Sequence, residues 1–170
     1  FSAGGDLVNA RRYLAGCGTQ TAALAFGGSI TAKEGNTEEY DGSSWSEQTD
    51  LSTVRAGLAG AGIQTAGLAF GGSTPSGAPF STATEHYDGS SWTNGGALST
   101  GRRYLAGAGT STAALAFGGM TPSATGSTEE YNGSSWTTSP GSLNDSRGYL
   151  AGAGTQEAAL AFGGYNNKTS

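Results

Sequence analysis

The pentapeptide Leu-Ala-Phe-Gly-Gly occurs four times in this chain, opening at Leu24, Leu68, Leu115 and Leu160, at steps of 44, 47 and 45 residues. Between the copies runs a second motif, Tyr-(Asp/Asn)-Gly-Ser-Ser-Trp, at Tyr40–Trp45, Tyr87–Trp92 and Tyr131–Trp136. Recurrence at this period means one supersecondary unit stacked on copies of itself. It also governs how any single residue is read. A side chain present in every copy is first a part of the unit, and only then a candidate for chemistry.

Within the copy from Arg55 to Trp92, short apolar runs alternate with turn residues. The pattern predicts a strand over 57–61, a turn over 62–65 and a strand over 66–71. A variable Ser/Thr/Pro/Gly stretch follows over 73–83, then a strand over 84–87, a turn over 88–91 and a strand led by Trp92. No window holds a helical apolar period. Each repeat is therefore read as an antiparallel meander of four strands, a to d. In strand b, Leu68 and Phe70 point one way and Ala69 the other, so both faces are apolar and each needs a neighbour. Radial stacking of blades supplies two, with the small-residue strand a nearest the axis and the Trp-led strand d at the rim. The 31 glycines fall at fixed places in this unit, which marks them as turn and close-packing residues rather than linker.

A Gly-Gly pair ending the second strand, a Tyr in the third and a Trp shortly after resembles the kelch repeat. The residues are Gly27, Gly28, Tyr40 and Trp45; Gly71, Gly72, Tyr87 and Trp92; and Gly118, Gly119, Tyr131 and Trp136. The fourth copy keeps Gly163 and Gly164, and the c–d turn is shorter than the usual kelch one. The resemblance implies an all-β, kelch-like β-propeller of four-stranded antiparallel blades, four repeats with the last incomplete. The strings Thr-Glu-Glu-Tyr-Asp-Gly-Ser-Ser-Trp and Gly-Thr-Gln-Thr-Ala-Ala-Leu-Ala-Phe-Gly-Gly also resemble kelch-like structural proteins of tailed, particularly marine, bacteriophages. That likeness implies a structural or adhesion role in a virion or extracellular setting.

Aligning the copies divides the single module into an outer strand d (1–10), repeats over 11–54, 55–101 and 102–146, and a partial repeat over 147–170. Phe1 takes the Trp position, and Leu7 falls where Leu51, Leu98 and Leu143 fall. Two architectures fit this count. Strand 1–7 could serve the last blade and close a ring of four. Alternatively the chain is part of a larger ring, completed as a homo-oligomer or by the remainder of a longer chain. A strand c missing from the last repeat favours the second, because an unpaired edge recruits partners.

Composition removes several functional classes. A formal net charge of −5 argues against nucleic acid as a partner. No apolar run is long enough for a membrane helix, so no membrane insertion is expected. One histidine and one cysteine supply no ligand set, and no catalytic residue, cofactor or metal is expected. His86 aligns with Glu39 and Glu130, and Cys17 with Ala61, Ala108 and Ala153; both read as substitutions at a repeat position. Arg11, Arg55, Arg102 and Arg147 recur, as do Glu38, Glu85 and Glu129, and this series carries two readings. The residues are either scaffold ion pairs between strands, or the arginines ring a mouth that binds an anion or acidic sugar. In the second reading Phe80, the lone aromatic of the longest loop, is a further contact. The expected function is a non-enzymatic structural or adhesion module with a glycan or cell-surface ligand; a lectin-like propeller is the alternative.

Overall fold

The computed structural model describes residues 4–76 and 80–166. All its regular structure is β-strand, in three complete blades and a two-stranded fourth. Blade 1 holds β1 (Ala15–Gly18), β2 (Ala23–Phe26), β3 (Thr37–Tyr40) and β4 (Trp45–Gln48). Blade 2 holds β5 (Ala59–Ile63), β6 (Ala66–Phe70), β7 (Thr84–Tyr87) and β8 (Trp92–Asn94). Blade 3 holds β9 (Ala106–Gly109), β10 (Ala114–Phe117), β11 (Ser127–Tyr131) and β12 (Trp136–Ser142). The fourth sheet pairs β13 (Gly148–Gly154) with β14 (Ala159–Tyr165). Every pairing is antiparallel between sequence neighbours, as a meander requires.

The predicted strand a of blade 2 begins two residues late. Gly57 has φ 65°, a left-handed turn that places Leu58 before the strand can start. The c–d turns are closed by an Asx cap, the reason Asp or Asn recurs there. Asp41 Oδ1 accepts from the amides of Ser43 and Ser44, both at 2.8 Å. Asp88 and Asn132 repeat the pattern. These amides hold the exposed Asp41 and Asp88 carboxyls at a pKa of about 2, below the ordinary 3.8.

Blades stack through their first strands, β1 on β5, β5 on β9 and β9 on β13, and no comparable contact returns from β13 to β1. The blades thus form an open arc about an axis lined by strand a. Small residues there are obligatory. A Cβ at Gly60 would lie 2.7 Å from Phe26 Cζ and 3.0 Å from Gly16 O. Toward the rim each blade clasps its predecessor. Trp92 meets the Phe26 ring at 5.0 Å and donates Nε1–H to Thr37 Oγ1 at 2.9 Å. Trp136 does the same to Phe70, at 4.9 Å, and to Thr84 Oγ1, at 2.9 Å. Leu24, Phe26, Leu68 and Phe70 are almost wholly enclosed as a result.

The expected outer strand over 1–7 is corrected. Residues 1–3 lie outside the described residues, and 4–10 form no strand. Strand d varies in length between repeats, β8 ending at the position aligned with residue 3, β4 at that aligned with residue 4 and β12 at that aligned with residue 7; from Gly4 onward the chain follows the shortest of these and runs as connector. That connector crosses blade 1, where Gly5 O accepts from Trp45 Nε1 at 3.1 Å. Its described hydrogen bonds go to blade 1, where the amides of Val8 and Asn9 also donate to the Glu38 carboxylate.

Candidate ligand face

The recurrent arginines enter strand a from the d–a connection, and their side chains turn inward. Arg55 Nη2 donates to Glu85 Oε1 at 2.8 Å, and Arg102 Nη2 to Glu129 Oε1 at 2.7 Å. Arg11 pairs with Glu38 in the same way. Arg55 Nη1 donates to carbonyls that end strand b and enter strand c, Gly71 O at 3.0 Å and Ala83 O at 2.7 Å, while the buried Nε of Arg55 and of Arg102 find no partner. The second carboxylate oxygen accepts from the incoming connector, through Val8 N, Ser52 N and Ser99 N. Burial lowers the pKa of Arg55 and Arg102, and the neighbouring carboxylate works against that fall. Each pair is thus a bolt joining three segments of a blade.

This geometry corrects the reading in which Arg11, Arg55 and Arg102 ring an open mouth. Their side chains are 0%, 0% and 1% exposed, with no face left for a ligand. Arg147 differs. Its side chain is 30% exposed, donates to Gly163 O at 3.1 Å and lies 4.0 Å from Asp145 Oδ2. Phe80 is half-buried, with the Arg103 guanidinium 4.8 Å from its ring centre.

The loops that vary do share one side of the arc with the d–a connections. The residue after each buried arginine exchanges backbone hydrogen bonds with the start of the b–c loop: Arg12 with Ser29, Ala56 with Ser73, Arg103 with Met120. One residue further on, the chain turns left-handed in every repeat, at Tyr13 (φ 58°), Gly57 (φ 65°), Tyr104 (φ 54°) and Tyr149 (φ 59°). These four form a stair around the axis. Gly57 N donates to Tyr13 O at 2.8 Å, Tyr104 N to Gly57 O at 2.6 Å, and Tyr149 N to Tyr104 O at 2.8 Å. The Tyr104 ring lies on Tyr149 at 3.9 Å and edge-on to Tyr13 at 5.5 Å. Sequence reading passed over these tyrosines, although a position that alternates Tyr with Gly is a signal for positive φ.

The remaining singled-out residues serve the blade contacts. His86 Nε2 lies 2.7 Å from Tyr131 Oη, just as Glu39 Oε1 lies 3.0 Å from Tyr87 Oη. The position aligned with Glu39 therefore holds the hydrogen-bond partner of the next blade's tyrosine. Burial lowers the His86 pKa. Cys17 is half-buried against blade 2 with its Sγ 3.6 Å from Ile63 O, and burial pushes its pKa up to about 12. Gln64 and Gln156 form a clip that sequence reading missed: Gln64 Nε2 reaches Tyr40 O at 2.8 Å, and Gln156 Nε2 reaches Tyr131 O at 2.7 Å. On blade 3 the corresponding seat, with Phe117, Thr128 and Glu130, lines a cavity that no tryptophan of the described residues fills.

No family model matches the chain, and no curated protein matches it.

Proposed function

We propose that this chain is a non-enzymatic propeller module of the kelch type, a rigid scaffold that presents variable loops for adhesion. A virion appendage of the tailed-phage kind, or another extracellular structure, is the setting in which such a module serves. One observation carries the reading. Three loops of unlike length and sequence are pinned, by the same pair of backbone hydrogen bonds, to one side of a nearly invariant frame. Variation on a constant frame is where recognition resides. The buried bolts support the same reading, since the recurrent Arg–Glu pair of the three complete blades serves shape.

The test is retention of intact bacteria, from a panel of marine strains, on the immobilised protein. Replacing 29–33 and 120–124 by Ser-Gly linkers should abolish retention and leave the thermal melt within a few degrees. Retention that survives loop replacement would overturn the reading. A lectin-like propeller is the second reading, favoured by half-exposed tyrosines on the loop side. The edge of β14, with Leu160 and Phe162 exposed beside it, supports pairing with further strands, from a second copy or from more of the same polypeptide. Light scattering across a concentration series tests the first source: association should rise with concentration and be lost on Phe162→Asp.

A further inference from the structure

We propose that the tyrosine stair, with Arg12, Lys33 and Arg103 beside it, is a binding site for acidic saccharides. The proposal rests on the adhesion reading and names its ligand class.

The charge distribution is the first support. The chain has 8 lysines and arginines against 13 acidic residues. Three of the arginines are buried in ion pairs, Arg147 lies near Asp145, and Lys168 falls outside the described residues. The other three cations are Arg12, Lys33 and Arg103, and none pairs with a carboxylate of the described residues. Glu34, next to Lys33 in sequence, forms no ion pair with it. All three gather on the loop side. Arg12 lies 5.7 Å from the Tyr13 ring centre and Arg103 4.9 Å from that of Tyr104. Lys33 reaches across to Thr74 O and feels the charge of Arg103. Arg103 Nε is buried without a hydrogen-bond partner, and no group among the described residues accepts from its terminal nitrogens. An acidic protein has thus gathered at one spot the cations that face no carboxylate among the described residues.

The second support is conformational. A left-handed backbone costs a non-glycine residue about 1–2 kcal/mol. Repeat 2 shows that glycine suffices here, because Gly57 makes the same turn and the same stair bonds. Three copies nevertheless carry tyrosine, with Tyr13 47% and Tyr149 52% exposed. Tyr104 stacks on Tyr149 and meets Tyr13 edge-on, and the two pairs together return about 1–3 kcal/mol against roughly 3–6 kcal/mol for three left-handed tyrosines. The ring contacts return part of that cost, and the faces of Tyr13 and Tyr149 that stay exposed are where a further use lies, on the solvent side.

The chemistry of the two sets together selects the ligand. Half-exposed tyrosine faces, fixed by the stair, suit the flat C–H faces of pyranose rings. Guanidinium and ammonium groups at the ring edges suit a carboxylate or sulfate on the same sugar. A neutral sugar would leave three cations unanswered. A nucleic-acid strand would meet them and little else, since the rest of the surface carries excess negative charge.

Calorimetric titration with tetragalacturonate and with a heparin-derived tetrasaccharide tests the site, with maltotetraose and an oligothymidylate as controls. At least one acidic tetrasaccharide should bind tenfold or more tightly than maltotetraose. Tyr13→Gly with Tyr149→Gly, which copies Gly57, should weaken that binding at least tenfold while the melt stays the same or rises. Arg12→Gln, an exposed position, should weaken it severalfold and flatten its salt dependence. The proposal is overturned if the acidic sugars bind no tighter than maltotetraose, if both variants bind like the parent, or if oligothymidylate binds best. Competition in the bacterial-retention assay separates the two readings. Loop-dependent retention that tetragalacturonate and the heparin tetrasaccharide fail to inhibit sinks the acidic-sugar site and leaves adhesion standing. A chain that binds these sugars and retains no bacteria reverses that outcome.

Discussion

Replacing Glu85 by Gln tests the bolt of blade 2 at its most enclosed point. The carboxylate serves two donors at once, Arg55 Nη2 at 2.8 Å and Ser52 N at 2.7 Å. An amide has one acceptor oxygen, so one of those donors must face an NH₂ group, and the Arg55 charge loses its counter-ion. A buried donor left unsatisfied costs about 1–3 kcal/mol, and breaking a buried ion pair about 3–5 kcal/mol in total. The expected loss for Glu85→Gln is therefore about 3–5 kcal/mol, a large share of the ~5–15 kcal/mol that holds a domain together. Arg55→Met should cost more. It strands Glu85 and also deprives Gly71 O of its donor, while Ala83 O keeps only the Gly71 amide. The double variant removes the isolated charges but leaves the Gly71 carbonyl orphaned, so it should recover only part of the loss. Urea unfolding, followed by tryptophan fluorescence and circular dichroism, gives each value. Arg147→Met supplies an internal control, expected to cost under ~1 kcal/mol because that side chain is partly solvated. A Glu85→Gln protein within about 1 kcal/mol of the parent would refute the reasoning, since no enclosed guanidinium tolerates that exchange.

Three further outcomes follow from the packing. Trp136→Ala removes the Phe70 contact and the Thr84 bond together, and should cost about 3–5 kcal/mol by the same unfolding assay. Gly60→Ala drives a methyl into Phe26 and the Gly16 carbonyl and should cost about 1–3 kcal/mol. Gly141→Ala, whose nearest neighbour is Ser139 Oγ at 3.7 Å, should change stability by less than ~0.5 kcal/mol. His86 titrates below its ordinary pKa of 6.5 in the fold, so the unfolded chain takes up the proton first. Its contribution is complete above that value and is lost as pH falls through and below it. Melting temperature should drop further between pH 8 and pH 5.5 in the parent than in His86→Gln, and equal drops would contradict this.

The blades were legible in the sequence because their signals are local. Phe70 and Leu68 flank Ala69 within one strand, and Asp88-Gly89 announces its own turn. The partners of Arg55 were less legible. A recurring arginine carries the same letters whether it faces solvent or a carboxylate thirty residues on. The clue was joint recurrence, Arg55 with Glu85 and Arg102 with Glu129 in the same copies. The stair was hidden for a different reason. Tyr13, Tyr104 and Tyr149 meet only through the stacking of blades, and Gly57 interrupts the series that would have drawn attention to them. The outer strand expected over 1–7 was drawn too far beyond Gly4, because Phe1, placed in the Trp column, suggested a longer strand than the three residues of β8.

The clasp between blades has a direction. Trp92 reaches back to Phe26 and Trp136 back to Phe70, while Glu39 and His86 reach forward to the tyrosine of the next blade, so plug and socket sit on opposite sides of each unit. Such a contact is heterologous, the same plug meeting the same socket at every step, and it never satisfies itself by a twofold axis. Its outcome is therefore decided by a single quantity, the rotation from one blade to the next. A rotation that divides the circle returns the last socket to the first plug and yields a disc of fixed size. One that misses, or that carries a rise along the axis, leaves a socket open on every turn and generates a helical filament. The small residues of strand a, which set how closely Gly60 approaches Gly16, are where that angle is held.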